Sequence, residues 1–306
     1  MLTTLLAMAA AVPMTAPGPK GPLAGTFLDA GAGAPVAIII PGSGPTDRDG
    51  NNPMGITAEP YRRLAEALAA KHVSTLRADK RGLFGSKSAV ANPDAVTLAD
   101  YSADAHQWAR VLREKTGAKC IWLIGHSEGA LIALVAAQQP DGVCGVVLIS
   151  GPGRKLGDVL REQLRTNPAN APILDSALAA IASLERGEHV DVTGLNPALL
   201  PLFRPQVQGY LIDMLRQDPA KLAASLNVPA LIIQGERDLQ VKAVDAVALA
   251  NAQPRAKLVL LPAMNHVLKD VASDDRAANI ATYADPSLPV DSGAVEAIVA
   301  FVKSHR

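Results

Sequence analysis

Cys120-Ile121-Trp122-Leu123-Ile124-Gly125-His126-Ser127-Glu128-Gly129-Ala130-Leu131-Ile132-Ala133-Leu134 decides the fold. An apolar run ends in Gly-x-Ser-x-Gly and continues in small and aliphatic residues to Ala137. The pattern reads as strand, sharp turn, helix. The glycines have a steric reason. A serine at the tip of such a turn takes a strained backbone conformation, and side chains two residues either side collide with the strand or the helix. The turn lifts Ser127 Oγ above the sheet edge and aims a helix N-terminus at it. That N-terminus carries partial positive charge and free N–H groups, which suit a negative charge developing on oxygen.

Outward from this turn, strands and helices alternate. Val36 to Ile40 is a continuous β-branched run, as expected of a strand buried on both faces. It ends in Pro41-Gly42-Ser43-Gly44-Pro45-Thr46-Asp47-Arg48-Asp49-Gly50-Asn51, a loop dense in turn formers. Strands are expected at 24–29, 73–78, 120–125, 143–150, 230–234 and 257–261. Helices are expected at 59–71, 97–115, 127–139, 241–252 and 290–303. Thr97 with Asp100 makes a capping-box-like start. The alternation predicts an α/β class fold with a mostly parallel central sheet flanked by helices. Between 151 and 228 the rhythm stops. That stretch has helical runs near 156–165, 177–184 and 207–216, broken by prolines. It reads as an inserted helical cap, leaving 21–150 and 229–306 as the core domain.

The 306 residues suffice for one large α/β domain. Lys+Arg and Asp+Glu both number 29, so nothing favours nucleic acid or an anionic membrane surface. Residues 1–20 differ from the rest. The apolar run from Leu5 to Val12 is too short to span a bilayer and suits a signal peptide, although no Lys or Arg precedes Lys20. The alternative is a disordered Ala-rich tail, so the expectation is export to the periplasm or beyond, with a cytoplasmic protein as the alternative.

Cys120 and Cys144 are the two cysteines, each opening an apolar run. Their strands are consecutive and expected to be neighbours. Adjacent strands lie about 4.8 Å apart, within reach of a disulfide. Two buried free thiols are the other reading.

A serine hydroxyl needs a base to take its proton, and the base needs a carboxylate to orient it. Asp238, in Gly235-Glu236-Arg237-Asp238, and His266, in Met264-Asn265-His266, each follow the end of an expected strand. Ligands bind at those ends in open α/β sheets. Glu236 competes with Asp238, but Asp238 has the better position. Of the six histidines, only His266 lies in a loop after a strand. An oxyanion needs two backbone N–H donors. Glu128, next after the serine, supplies one. The loop after Ile40 supplies the other.

With these residues in place, the chain resembles the α/β-hydrolase superfamily, and within it bacterial serine carboxylesterases with a Gly-Ser-Gly-Pro-Thr-Asp-Arg-Asp-Gly loop. The matching segments are that loop at 42–50, Asp79-Lys80-Arg81-Gly82, Gly-His-Ser-Glu-Gly at 125–129, Leu202-Phe203-Arg204-Pro205, Gln234-Gly235-Glu236-Arg237-Asp238-Leu239-Gln240-Val241, and Asn265-His266. The order Ser127, Asp238, His266 is that superfamily's order. Where these enzymes carry His-Gly-X, this chain has Pro41-Gly42-Ser43, which makes Ser43 N–H the second donor and Gly44 its alternative. Gly42, Gly44 and Phe203 are the expected substrate contacts. The resemblance implies ester hydrolysis through an acyl-serine, with no metal or organic cofactor.

Two departures stand out. Residues 21–34 leave room for one strand where relatives carry an N-terminal hairpin, and Leu83-Phe84-Gly85 places a bulky Phe84 beside the site. The expected partner is a small-molecule ester, with no stable membrane span. Short-to-medium acyl chains are expected because the cap is mostly aliphatic, with Phe203 and Tyr210 its aromatics. The alternatives are a serine aminopeptidase or acyl-amide hydrolase, with Glu185, Glu188 and Asp191 as amine binders, or a non-catalytic binding protein. Arg48, Asp49, Asp79 and Arg81 are expected to form ion pairs under the site.

Overall fold

Three strands open the chain in the computed structural model, which describes residues 10–305: β1 (Ala11–Ala16), β2 (Leu23–Leu28) and β3 (Val36–Ile40). Strand β1 pairs antiparallel with β2, setting Pro13 opposite Thr26. This corrects one expectation: two strands precede Val36 where one was expected. Residues 11–16, inside the 1–20 segment, form the additional strand rather than a disordered tail. The reason this strand escapes sequence reading is physical. β1 is an edge strand with Ala11, Val12 and Pro13 exposed, so it lacks the two-sided apolar run of a central strand. Pro13 is tolerated because an edge leaves one row of N–H groups unpaired. Most of the Leu5–Val12 run lies outside the described residues.

The chain then alternates through α1 (Pro60–Ala70), β4 (Ser74–Ala78), α2 (Leu98–Thr116), β5 (Ile121–His126), α3 (Glu128–Ala136) and β6 (Val143–Ile149). Five helices follow without a strand: α4 (Leu156–Thr166), α5 (Leu174–Glu185), α6 (Leu200–Phe203), α7 (Pro205–Arg216) and α8 (Pro219–Ala224). The alternation resumes with β7 (Ala230–Gly235), α9 (Ala243–Ala252), β8 (Lys257–Leu261), α10 (Arg276–Ala281) and α11 (Ser292–Ser304).

The sheet order is β1-β2-β4-β3-β5-β6-β7-β8; from β4 to β8 in that order every pairing is parallel, while β2 is antiparallel to both β1 and β4. Strand order reverses between β3 and β5. The crevice beyond their C-terminal ends is therefore the place where such sheets bind ligands. The period-2 alternation divides the core. Ile38, Leu123 and Val146 join one apolar layer, packed with Trp108 of α2 and Leu131 of α3. Ile39, Trp122 and Val147 join the other, under Leu64 of α1 and Phe301 of α11. The helical stretch between β6 and β7 has a core of its own around Ile181, Leu184, Phe203, Leu211 and Leu215.

Helix α2 begins as its sequence predicts. Thr97 Oγ1 accepts from Asp100 N–H (3.2 Å) and the Asp100 carboxylate accepts from Thr97 N–H (2.9 Å). Such a cap contributes about 1 kcal/mol. Arg81 latches onto the same turn through Asp100 and Asp104.

Cys120 and Cys144 are joined in a disulfide, with Cα atoms 5.0 Å apart. The ladder pairs Ile121 with Val143 and Trp122 with Gly145, so Cys144 is an extra residue in β6. That irregularity breaks the parallel register beside Cys120 at the N-terminal edge of the two strands.

Candidate active site

The turn after β5 has the expected geometry. Ser127 has φ 54° and ψ −119°, a conformation that an L-residue adopts only when its surroundings enforce it. Ser127 N–H donates to Ile149 O (2.9 Å), tying the turn to β6. A Cβ on Gly125 would lie 2.1 Å from Gly129 O, and one on Gly129 would lie 2.2 Å from Ile40 O. Strand, helix and the loop after β3 approach this closely only because neither residue has a side chain. Helix α3 then starts at Glu128, directly behind the serine. Ser127 Oγ makes no hydrogen bond among the described residues; contacts of this kind close when substrate binds.

The loops after β7 and β8 bring the acid and the base together. His266 Nδ1 donates to Asp238 Oδ2 at 2.8 Å, and both side chains are buried. Asp238 Oδ1 also accepts from the amides of Gln240 (2.7 Å) and Val241 (2.9 Å). Burial pushes the Asp238 carboxyl up. The charge and hydrogen bond of His266, with those two amides, overcome this and hold it below the usual carboxylate range. Glu236, the alternative acid, is exposed.

Asn265 shapes the turn that carries His266. Its Oδ1 accepts from Val267 and Lys269 amides, and its Nδ2 donates to Asn279 and Thr282. Sequence reading quoted Asn265 without giving it this role. The signal was there, since a buried Asn beside a loop histidine must satisfy four hydrogen-bonding positions.

A second polar chain runs behind the serine. Gly42 N–H donates to Tyr61 Oη (2.9 Å), Tyr61 Oη meets His126 Nδ1 (2.8 Å), and His126 Nε2 meets His266 O (2.8 Å). The ends fix its direction. A backbone N–H can only donate and a carbonyl can only accept. Tyr61 O–H therefore donates to His126 Nδ1, and His126 carries its proton on Nε2. Burial, and then the charge of His266, drive the His126 pKa down to about 3, so the ring stays neutral. Burial pushes the Tyr61 phenol well up, so it keeps its proton. With both ring nitrogens so engaged, His126 joins the Gly42 loop to the His266 backbone.

On the far side, Lys80 Nζ donates to Gly42 O (2.8 Å) and Glu128 Oε1 (3.0 Å), all three residues being buried. Gly42 abuts the serine, since a Cβ there would lie 3.4 Å from Ser127 Cβ. Ser43 and Gly44, just past the C-terminal end of β3, are exposed. The residues expected to form ion pairs do so: Arg48 with Asp79, Asp49 with Arg77, and Arg81 with Asp100 and Asp104.

Phe203 is a correction. It was expected to contact substrate but is fully buried in the core of the helical stretch, where its ring is the largest apolar filler. Tyr210 packs edge-on against Tyr101, with centroids 5.6 Å apart. Phe84 is half exposed, at φ 43°.

The family model described as serine aminopeptidase, S33 matches residues 54–270. Esterase EstD of Thermotoga maritima is 28% identical over 243 residues, which cover 76% of this chain and 54% of the relative. The chain therefore spans about half the length of that curated relative. Among solved structures, Est1E from Butyrivibrio proteoclasticus has a TM-score of 0.59 at 18% identity, covering 96% of this chain and 98% of its own. The Pyrococcus furiosus esterase Pf2001 has a TM-score of 0.58 at 18% identity, covering 97% and 93%. Both likenesses support the eight-stranded architecture. With the family match spanning most of the chain, this protein belongs to the serine aminopeptidase S33 family of α/β-hydrolases.

Proposed function

We propose that this chain is a serine hydrolase that cleaves small carboxylic esters with short-to-medium acyl groups through an acyl-serine intermediate. The observation that carries the reading is the buried His266–Asp238 hydrogen bond of 2.8 Å at the strand ends, beside the strained serine. In this mechanism Ser127 Oγ attacks the ester carbonyl while His266 Nε2 takes its proton. The carbonyl oxygen gains the negative charge and accepts from the amides of Ser43 and Glu128. The tetrahedral intermediate collapses, and the departing alkoxide takes the proton from His266. Water repeats the cycle: His266 removes its proton, hydroxide adds to the acyl carbon, and Ser127 leaves reprotonated. Asp238 holds the imidazole tautomer and stabilises the imidazolium.

The helices between β6 and β7 are proposed as a cap over the crevice. Their aliphatic composition supports acyl groups of modest length. An aminopeptidase reading draws on the family's description and needs carboxylates free to bind an amine. The three expected candidates are engaged instead: Glu185 with Arg161, Glu188 with Arg186, and Asp191 with the Thr193 amide. This favours the ester. Among the described residues no helix is long and apolar enough to cross a membrane. Export is proposed on the cystine, because such bonds persist in oxidising compartments.

The deciding experiment is Ser127→Ala against a p-nitrophenyl acyl ester series. The variant is expected to lose nearly all turnover, with the wild type peaking at short-to-medium chains and preferring esters to the matching anilides. Undiminished turnover in the variant sinks the serine mechanism. A peak at long chains, or a preference for anilides, sinks the substrate assignment.

A further inference from the structure

We infer that Lys80 is a positioning residue for the oxyanion hole, fixing which way the Gly42–Ser43 peptide faces. The inference rests on the proposed role of Ser43 N–H as an oxyanion donor. Lys80 follows β4, one strand away from the loop it holds. Its buried ammonium reaches both arms of the proposed hole: Gly42 O at 2.8 Å and the side chain of Glu128, whose backbone amide is the other donor, at 3.0 Å. The Tyr101 ring lies 5.5 Å from the ammonium and closes another side.

The argument runs through peptide geometry. The described chain has no cis peptide, so the C=O of Gly42 and the N–H of Ser43 point in opposite directions in one plane. Holding Gly42 O toward Lys80 therefore directs Ser43 N–H away from it. The loop needs such an anchor because glycine has no Cβ to restrict its torsions. Its other peptide is tied too, Gly42 N–H being held by Tyr61 Oη at 2.9 Å. Without Lys80 the Gly42–Ser43 plane is free to turn over. A turned plane offers a carbonyl oxygen where the developing oxyanion requires a donor. Loss of one such donor slows acyl transfer by roughly 10²–10³-fold. Lys80 touches no reacting atom and acts through the peptide it holds.

The test compares wild type with Lys80→Met and with the double variant Lys80→Met/Glu128→Gln, which keeps the Glu128 amide and leaves no unpaired buried carboxylate. Three quantities are read on folded protein: kcat and KM for a p-nitrophenyl ester, affinity for a trifluoromethyl ketone that adds to Ser127 as an oxyanion, and final extent of labelling by a fluorophosphonate. Both variants are expected to lose roughly 10²–10³-fold in kcat and in ketone affinity, with KM little changed. Labelling of Ser127 should still reach completion. A merely structural role leaves ketone affinity per folded molecule unchanged. A folded, fully labelled double variant with wild-type kcat and ketone affinity overturns the role of Lys80 and leaves the hydrolase reading standing. A wild type that neither labels nor turns over overturns both.

Discussion

The two sides of Ser127 are built on different principles. On one side, side chains do the proposed chemistry and backbone holds them: Asp238 is fixed by the amides of Gln240 and Val241, and His266 rides on a turn organised by Asn265. On the other side, backbone does the proposed chemistry and side chains hold it: Gly42 is gripped by Tyr61 through its N–H and by Lys80 through its C=O. The proton-handling side needs a group that titrates, so its residue types are restricted. The charge-receiving side needs only amides pointing the right way, so almost any residue can supply the donor. The constraint moves to residues elsewhere in the chain that orient it.

The largest effect should come from Asp238→Asn, which attacks the first side alone. The amide cannot hold the required His266 tautomer, and kcat should fall by about 10⁴-fold with KM little changed. Steady-state kinetics on the same ester checks it, and a loss below tenfold would erase the distinction between the sides.

His126 is where the sides meet, and the next effect is on stability. The folded ring holds its pKa at about 3 against 6.5 for the free group. Between those values the unfolded chain binds a proton that the native one refuses. Stability is therefore full above pH 6.5 and declines as pH falls toward 3, by on the order of 4 kcal/mol at the lower end. The depressed Asp238 carboxyl adds a loss of the same sign, but only below about pH 4. In that window Asp270, hydrogen-bonded to Asp291 and raised to about 6, acts in the opposite sense, so the His126 part is read as the difference between wild type and His126→Gln in urea unfolding from pH 6.5 to about 4.5. The wild type should lose stability relative to the variant as pH falls, and a difference that does not change with pH would place the titration elsewhere.

The smallest effect tests whether the site is separable from the other end of the sheet. Removing the cystine by Cys120→Ala/Cys144→Ala opens a loop whose closure contributes about 3 kcal/mol. Denaturant midpoints should fall while kcat at 25 °C stays the same. A parallel drop in kcat would mean that the two ends of β5 and β6 are coupled.

The same asymmetry decides what could be read without coordinates. Ser127, Asp238 and His266 were legible because each is a chemically restricted residue just past the end of an apolar run. The central strands were legible because burial on both faces leaves an uninterrupted apolar stretch, as in Val36–Ile40 and Ile121–Ile124. Lys80 lies in a segment that carries the family resemblance, yet its task is invisible in sequence: its partner is a carbonyl, which has no letter. Tyr61 lies in an expected helix, and nothing in the helical pattern marks its hydroxyl for a backbone amide. β1 was lost because an edge strand exposes most of its length. Phe203 was misassigned because composition cannot tell an aromatic that fills a small helical core from one that lines a pocket.

The serine's backbone sets stability and activity against each other. A conformation at φ 54° and ψ −119° is one that glycine tolerates far better than serine, and holding a side-chain-bearing residue there costs on the order of 1–3 kcal/mol. Selection for thermal endurance alone would therefore tend to erase the residue that the proposed chemistry cannot do without. On the proposed function, the turn persists only while hydrolysis itself is under selection. A lineage released from that demand has a downhill path, one codon position at a time, to a more stable and silent copy of the same fold.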